Sequence, residues 1–314
     1  MTGRYALVFP GQGAQKVGMG RDLCETFDAA RATFREADAA LGEPLSRLVF
    51  EGPQETLTLT ANTQPSILTV SVAALRALAG STALAPSFVA GHSLGEYSAL
   101  VASGAMSFAD AVRTTRARGT FMQQAVPSGQ GAMAAVMKKS EAEVAGACER
   151  AAQGEVVSPA NFNSPDQIVI SGHAGAVARA SELLKEGGGR VIPLKVSAPF
   201  HCALMRTAAE KLDCFLGDVR FGAPAVPVVT NVEAAPNADA ARIRGLLVTQ
   251  VTSPVRWTDS VRYMIAQGVT TFIELGPGNV LAGLIGKIDG GAKVVSVGDP
   301  KGIEAAAEAL TALG

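Results

Sequence analysis

Several residue classes are scarce in this chain of 314 residues. Aromatic residues make up only 5% of it, so a surface that stacks single-stranded bases is not expected. The 27 basic and 28 acidic residues nearly cancel, and no overall field draws the protein to nucleic acid or to an anionic membrane. The most apolar stretch, residues 70–91, is interrupted by Arg76, Ser81 and Pro86. No segment therefore reaches the roughly 18 apolar residues of a membrane helix.

Cysteine is also rare. Cys24, Cys148, Cys202 and Cys214 form no C-x-x-C pair, and no Cys/His cluster has zinc-ligand spacing, so a metal site is not expected. Buried free thiols in a reducing compartment are the expectation. Residues 1–9 lack the basic flank and the long apolar run of a signal peptide, and we expect a soluble cytoplasmic protein.

Hydrophobic residues are plentiful, at 48%, which is too apolar for disorder and sufficient for a large core. Short strand-like runs alternate with helical stretches, as expected of a parallel sheet covered by helices. The predicted strands of this sheet are residues 5–9, 88–90, 226–231, 271–275 and 294–297. The predicted helices around it are residues 21–38, 66–78, 95–103, 108–124, 239–250, 259–267 and 303–313.

Residues 131–196 interrupt this alternation with a pattern of their own. Ser140 and Glu143 form a capping-box pattern at the start of a helix. The predicted elements are strands 131–137, 156–162, 167–171 and 191–196, and helices 140–152 and 174–184. The order βαββαβ is typical of a ferredoxin-like unit. We therefore predict an α/β fold in which a large domain, residues 1–127 and 198–314, carries an inserted ferredoxin-like small domain, residues 128–197.

The segment Gly91-His92-Ser93-Leu94-Gly95 has the pattern G-x-S-x-G between a predicted strand and a predicted helix. This is the context of a nucleophile elbow, which lifts a serine hydroxyl over a helix N-terminus whose free N–H groups favour an oxyanion. The pattern alone is also compatible with an ordinary glycine-flanked helix start. With an elbow, the large domain would be hydrolase-like, with a mostly parallel sheet.

A serine nucleophile needs a base, and the chain has three histidines. His92 adjoins Ser93 on a sharp turn, where neighbouring side chains rarely face each other. His173 lies at a strand-to-helix turn, which is typical of a solvated or capping residue. His201 follows the predicted insert, where the returning chain can reach the elbow, and it is the best candidate base. Cys202 has neither an elbow nor a separate base, which argues against a cysteine nucleophile.

The loop Phe9-Pro-Gly-Gln-Gly13 follows the first predicted strand. Lys16 breaks the pattern G-x-G-x-x-G and no G-K-[ST] follows, so neither a dinucleotide site nor a P-loop is indicated. A loop at the carboxyl end of such a strand can donate a backbone N–H to a ligand, or it can be a plain turn.

Arg113, Arg116 and Arg118 share one predicted helix. The first two lie on the same face, while Arg118 is turned away from them and is the one expected to point inward. A buried arginine needs an anion, and a carboxylate suits its bidentate fork.

These motifs occur in a fixed order along the chain. The ordered set is Phe9 to Gly13, Gly91 to Tyr97, Arg118-Gly119, Ala160-Asn-Phe-Asn-Ser-Pro165, Phe200-His201, Gln250 with Ser253-Pro-Val-Arg-Trp257, and Glu274-Leu-Gly-Pro-Gly278. On these motifs the chain resembles the malonyl-CoA:acyl carrier protein transacylases almost end to end. A large α/β domain with an inserted ferredoxin-like domain is also the architecture of that family.

The resemblance implies roles for individual residues. Ser93 would be the nucleophile and His201 the base, oriented by the backbone carbonyl of Gln250, so that the arrangement is a dyad without an aspartate. The backbone N–H groups of Gln12 and Leu94 would form the oxyanion hole.

It also implies how the substrate is held. Arg118 would pair with the free carboxylate of the malonyl group, and Asn163 and Gln64 would line the pocket. Phe200 and Leu94 match the malonyl-selective pattern of related polyketide acyltransferases, because the bulk of Phe200 would crowd a 2-methyl branch.

The implied activity is transfer of the malonyl group of malonyl-CoA to the phosphopantetheine thiol of acyl carrier protein, through a malonyl-serine, for fatty acid chain extension. The carrier is acidic, so a local basic patch near the cleft is expected, with Lys195, Arg190 and Arg116 as candidates. The resemblance implies no tightly bound cofactor or metal and no nucleic-acid or membrane partner. We expect a monomer.

Three other functions share parts of the pattern. A free-standing polyketide malonyl acyltransferase has the same motifs. A serine thioesterase or esterase shares the elbow, but its usual order is serine, acid and a late histidine, whereas no histidine follows His201 here. A non-catalytic carrier-docking module would not need Ser93, His201 and Arg118 together.

Overall fold

The structure, a computed structural model, describes residues 3–127, 129–196 and 198–313. Within these ranges the chain forms ten β-strands and fourteen α-helices. The strands are β1 Arg4–Phe9, β2 Phe88–Gly91, β3 Gly131–Met137, β4 Val157–Ser164, β5 Gln167–His173, β6 Arg190–Pro193, β7 Val228–Val229, β8 Pro236–Asn237, β9 Val269–Leu275 and β10 Lys293–Val297. The helices are α1 Arg21–Thr26, α2 Asp28–Leu41, α3 Leu45–Glu51, α4 Gln54–Thr58, α5 Thr60–Ser81, α6 Gly95–Ala102, α7 Phe108–Gln124, α8 Glu141–Ala152, α9 Ala174–Glu186, α10 Arg206–Leu216, α11 Ala240–Thr252, α12 Trp257–Ala266, α13 Val280–Ile288 and α14 Pro300–Thr311.

Six strands form one sheet in the order β10-β9-β1-β2-β7-β8. All neighbours are parallel except β8, which runs antiparallel to β7. Leu7 and Phe9 of β1 pack into the core formed with α5, α6 and α7, whereas Ala6 and Val8 face α12 and α13. Because helices cover both faces, β1 is a continuous apolar run rather than an alternating one. The predicted mostly parallel sheet is confirmed.

The other four strands form a separate antiparallel sheet in the order β4-β5-β3-β6. Ala134 and Val136 of β3 pack against α8 and α9 on one face, whereas Met133 and Ala135 face the core of the six-stranded sheet. The predicted βαββαβ order is confirmed, and the capping box of Ser140 and Glu143 is formed at the start of α8.

The two sheets are joined through β4 and the segment before α12. The Phe162 N–H donates to the Val255 carbonyl and the Val255 N–H donates to the Ala160 carbonyl, both at 2.9 Å. The Thr258 hydroxyl donates to the Phe162 carbonyl at 3.0 Å. These bonds fix the cleft between the sheets. The predicted domain boundaries fall at Ser128 and Ser197, which lie outside the described residues.

Several predicted elements have different limits. The helix predicted over 21–38 is two helices, because Phe27 is extended and ends α1 before α2 begins. The strand predicted over 191–196 ends at Pro193. The Leu194 N–H still donates to the Met133 carbonyl of β3 at 2.9 Å, and residues 194–196 line the cleft. The strand predicted over 226–231 is only Val228–Val229.

Other features were not predicted at all. Helices α3, α4, α10 and α13 have no counterpart in the sequence prediction. Cys148 and Cys202 are buried as expected, whereas Cys24 is partly exposed and Cys214 is exposed, so the expectation of buried thiols was wrong for two of the four. No helix within the described ranges combines the length and the apolar character needed to cross a membrane.

Candidate active site

Ser93 lies on a sharp turn between β2 and α6. Its φ is +52°, a left-handed conformation that is uncommon for a residue with a side chain. A Cβ atom at Gly91 would collide with the Gly95 backbone, and one at Gly95 would collide with the Phe9 carbonyl. Only glycine therefore fits the two flanking positions, and the segment has the strand–turn–helix form of an elbow.

The Ser93 hydroxyl faces His201. Its Oγ lies 2.8 Å from His201 Nε2, and His201 Nδ1 lies 2.9 Å from the Gln250 carbonyl oxygen. A carbonyl only accepts, so Nδ1 carries the proton and Nε2 is free to accept from the Ser93 hydroxyl. Burial, with the charge of Arg118 as a second cause, lowers the pKa of His201 to about 3. The imidazole is therefore neutral at physiological pH.

Arg118 is buried beside the same serine, with 1% of its surface exposed. Its Nη1 donates to Gln64 Oε1 at 2.8 Å, and its Nη2 donates to Gln250 Oε1 at 2.9 Å and to Ser93 Oγ at 3.1 Å. Its guanidinium also lies 5.5 Å from the centre of the Tyr97 ring. Within the described part of the chain none of its hydrogen-bond partners is a carboxylate, so its charge is available to an anion from solution.

A cavity of about 640 Å³ opens between the two sheets at this point. Eight of the nine predicted site residues line it: Gln12, Gln64, Ser93, Leu94, Arg118, Asn163, Phe200 and His201. The ninth, Gln250, is fully buried behind His201. The four-stranded sheet contributes Met133, Asn161, Asn163 and Val169 to the lining.

The remaining predicted residues have defined places in this cavity. Within the described residues, the backbone N–H groups of Gln12 and Leu94 have no hydrogen-bond acceptor, as donors reserved for a ligand would. Asn163 Oδ1 lies 2.8 Å from His92 Nε2, and the centre of the His92 ring lies 5.8 Å from that of Trp257.

The candidate basic residues are dispersed. Lys195 lines the cavity, Arg190 is exposed on the edge strand β6, and Arg116 pairs with Glu43 and Asn62. Of the three predicted cations, only Lys195 lies at the cleft.

Two buried polar residues beneath the elbow were missed by the sequence analysis. Glu96 follows the elbow in a buried stretch of α6, and Asn231 follows β7. Burial raises the pKa of Glu96 to about 7, opposed by hydrogen bonds from Asn231 and Gln250. The one sequence signal that could have identified Glu96 is a charged residue at the start of an otherwise apolar helix. No sequence signal pointed to Asn231.

The described residues contain no group of three or more His, Cys, Asp or Glu side chains placed to hold a metal ion. What the site does contain is a serine on an elbow, a neutral histidine oriented by a carbonyl, free backbone donors and a buried guanidinium. Such an arrangement can support acyl transfer through a serine ester.

Comparison with known proteins agrees with this chemistry. The profile of the acyl transferase domain family matches residues 6–297, and the chain belongs to that family. It is 50% identical to the malonyl CoA-acyl carrier protein transacylase of Escherichia coli (strain K12) over 306 residues, 97% of this chain and 99% of that protein. The resemblance drawn from the sequence motifs is confirmed.

Solved structures are similar over the same length. The malonyl CoA-acyl carrier protein transacylase of Coxiella burnetii has a TM-score of 0.97 at 44% identity, with 99% of each chain covered. A malonyl-transacylase solved in complex with a type II polyketide synthase acyl carrier protein has a TM-score of 0.95 at 46% identity, covering 98% of this chain and 99% of that one.

Proposed function

We propose that the protein transfers the malonyl group of malonyl-CoA to the phosphopantetheine thiol of acyl carrier protein and so supplies fatty acid chain extension. The observation that carries this proposal is the juxtaposition of Ser93, His201 and the buried Arg118 in one cavity. Relatives about 50% identical over nearly the whole chain carry that transacylase name.

In the first half-reaction Ser93 Oγ attacks the thioester carbonyl of malonyl-CoA while His201 Nε2 takes its proton. The charge that develops on the carbonyl oxygen is stabilised by the backbone N–H groups of Gln12 and Leu94. His201 then protonates the leaving sulfur, CoA departs, and a malonyl ester remains on Ser93. The Gln250 carbonyl keeps the imidazole in the tautomer that this step requires.

In the second half-reaction the thiol of the carrier's phosphopantetheine arm loses its proton to His201 and attacks the ester. The ester bond breaks, Ser93 recovers its proton, and the malonyl thioester leaves on the carrier. Ping-pong kinetics follow, because CoA departs before the carrier enters. Arg118 holds the malonyl carboxylate throughout, while Gln64 and Asn163 shape the pocket around it.

The polyketide pathway is a second candidate setting for the same reaction. The complex of a malonyl-transacylase with a type II polyketide synthase carrier, 46% identical to this chain, favours it. Comparing transfer rates to a fatty acid carrier and to a polyketide carrier distinguishes the two. A thioesterase or esterase is the less favoured alternative.

Phe200 is proposed to set the size limit of the acyl pocket. It lines the cavity next to the base and is 8% exposed, so a 2-methyl branch on the substrate would meet its ring. Methylmalonyl transfer at a rate near that of malonyl would contradict this assignment.

We also propose the domain division given by the sequence, with residues 1–127 and 198–314 around the six-stranded sheet and residues 128–197 around the four-stranded one. A monomer as the working unit stays a prediction from the sequence. A location in the cytoplasm also stays a prediction from the sequence.

Intact mass spectrometry tests the proposed function. After brief incubation with malonyl-CoA the protein should gain one malonyl group, and holo-acyl carrier protein should remove it. Ser93→Ala should gain nothing. Ser98→Ala is the matched control, because the Ser98 hydroxyl is buried in the first turn of α6 and has no hydrogen-bond partner among the described residues. Loss of the malonyl group to water as fast as to the carrier would make this protein a hydrolase.

A further inference from the structure

The peptide groups around Ser93 are held by side chains that the proposed reaction does not use. Asn231, 1% exposed, lies between β7 and β8. Its Oδ1 accepts from the Ser93 N–H at 2.7 Å, and its Nδ2 donates to the Gly91 carbonyl at 2.6 Å. One amide group therefore bridges the start of the elbow and its central residue.

The carbonyl side of Ser93 is held in the same way. Gln250 Nε2 donates to the Ser93 carbonyl oxygen at 3.0 Å. Glu96 Oε2 accepts from the Asn231 N–H at 3.0 Å and from Gln250 Nε2 at 2.8 Å. A single carboxylate oxygen thus anchors the backbone of Asn231 and the side chain of Gln250, the two residues whose side chains hold the serine.

This grip acts on a strained conformation. Ser93 adopts a φ of +52°, which is costly for a residue with a Cβ and persists only where the surroundings over-determine it. Relaxation of φ would swing Oγ away from His201 Nε2 and would rotate the peptide that carries the Leu94 N–H. The two bonds from Asn231 fix the backbone on the N-terminal side of the Ser93 N–Cα bond, and the bond from Gln250 holds the Ser93 carbonyl on its other side.

We propose that Asn231 is a positioning residue for acyl transfer, which holds the elbow so that Ser93 Oγ faces His201 and the Leu94 N–H faces the cavity. The inference takes malonyl-CoA as the substrate from the proposed function, whereas the geometry of the elbow on which it depends is independent of that function. Asn231 is not among the residues that line the cavity, so a substrate bound there would not touch it. It acts through Ser93, and its loss should slow bond formation at Oγ while leaving donor binding unchanged.

A second buried asparagine provides the matched control. Asn237, 3% exposed, ends the same β7–β8 hairpin, and among the described residues its side chain bonds only with the Asp239 backbone at the start of α11. Asn231→Ala and Asn237→Ala each remove a buried amide from neighbouring positions. A purely structural role predicts the same result for both variants.

The experiment measures two rates on each folded protein. The first is the rate of malonyl-Ser93 formation from malonyl-CoA by quenched-flow intact mass, with the dependence on malonyl-CoA concentration giving the limiting acylation rate and the apparent KM separately. The second is labelling of Ser93 by a fluorophosphonate, in which Oγ bonds to phosphorus, fluoride leaves and His201 takes the proton. The second reagent reports the position of Oγ whatever the natural acyl donor is.

For Asn231→Ala we expect both rates to fall by about 10²-fold with KM for malonyl-CoA unchanged, as for a misplaced reacting atom. Asn237→Ala should keep wild-type rates even where its stability is reduced. If Asn231→Ala fails to fold, Asn231→Asp preserves the shape and the acceptor for the Ser93 N–H. The aspartate lacks the N–H donor to the Gly91 carbonyl, and both rates are expected to fall by less than in Asn231→Ala.

Wild-type labelling rates in the folded Asn231 variants, or an equal fall in Asn237→Ala, would overturn the inference. Normal fluorophosphonate labelling of the wild type without any malonyl-enzyme would instead refute the proposed function, and the labelling rates of the variants would still decide the role of Asn231.

Discussion

The two sheets contribute to the cavity in different ways. The six-stranded sheet delivers its groups from loops at the carboxyl ends of parallel strands: Gln12 follows β1 and Ser93 follows β2, with Asn231 behind them after β7. The four-stranded sheet presents side chains from the strands themselves, and those within the described residues are Met133, Asn161, Asn163 and Val169. None of these four side chains titrates.

This difference follows from strand geometry. At the carboxyl end of a parallel strand the chain must turn into a helix, and the turn exposes free N–H groups and a positive dipole. The face of an antiparallel sheet has its backbone groups paired and offers only side chains. The six-stranded region is therefore suited to supply the reacting groups, and the four-stranded sheet to supply one wall of the pocket.

The sharpest test of this division uses two histidines, one from each region. His201→Ala should slow acylation of Ser93 by about 10²- to 10⁴-fold, because within the described residues His201 is the one base that bonds with Oγ. His173→Ala should leave the rate unchanged, since its ring accepts a bond from the Val156 N–H at the edge of the four-stranded sheet. Pre-steady-state intact mass measures both variants. A comparable loss in His173→Ala would end the distinction.

The elbow and its histidine could be predicted because their constraints are local. Gly91 and Gly95 are required wherever a strand turns into a helix this tightly, and that requirement is visible in the sequence. Arg118 could be predicted because it lies on a different face of α7 from the neighbouring arginines, Arg113 and Arg116. Asn231 could not, because its contact with Ser93 spans 138 residues and depends on the pairing of β2 with β7.

The missed helix α13 shows the same limit for the fold. Its sequence contains Gly283 and Gly286 and follows Gly-Pro-Gly, which disfavours a helix on local propensity. Glu274, at the end of β9, accepts from the Leu281 and Ala282 N–H groups and so caps α13 from outside it. A helix start that is stabilised by a tertiary contact has no local signature.

The two regions also differ in the pKa of a glutamate that each contains. Burial raises the pKa of Glu96 to about 7 beneath the elbow, whereas hydrogen bonds from Lys139 and Ser140 lower that of Glu143 to about 2 at the exposed end of α8. Since Glu96 binds its proton more tightly in the folded protein, the folded state should lose stability as the pH rises from about 4.5 to about 7. The expected loss is on the order of 3 kcal/mol.

Glu96→Gln should remove this dependence, because a glutamine keeps an oxygen for Asn231 and Gln250 but does not titrate. Urea unfolding of both proteins from pH 5 to pH 8 gives the difference between them, in which the opposite contribution of His201 cancels. A constant difference across this range would mean that Glu96 is ionised throughout.

Arg118 tests whether the six-stranded region also selects the substrate. Arg118→Ala should slow malonyl acylation about 10- to 100-fold more than acetyl acylation, because only the malonyl carboxylate pairs with the guanidinium. Parallel rates with malonyl-CoA and acetyl-CoA measure this ratio. Arg113→Ala, an exposed arginine of the same helix paired with Asp110, is the control and should leave the ratio unchanged. Equal losses for the two donors would remove Arg118 from substrate selection.

The smallest effect is expected for the wall that the four-stranded sheet provides. Val169→Ala removes two methyl groups from the cavity side of β5, which should cost about 1–2 kcal/mol of stability and slow acylation by less than about tenfold. Val136→Ala makes the same change on the opposite face of the neighbouring strand, against α8 and α9, and should lose similar stability with no change in rate. Urea unfolding and acylation rates separate the two variants. If Val169→Ala were as slow as His201→Ala, the four-stranded sheet would be positioning the reacting atoms. A side chain that only limits the volume of the pocket does not contact the base, so its truncation cannot cost as much as loss of the base itself.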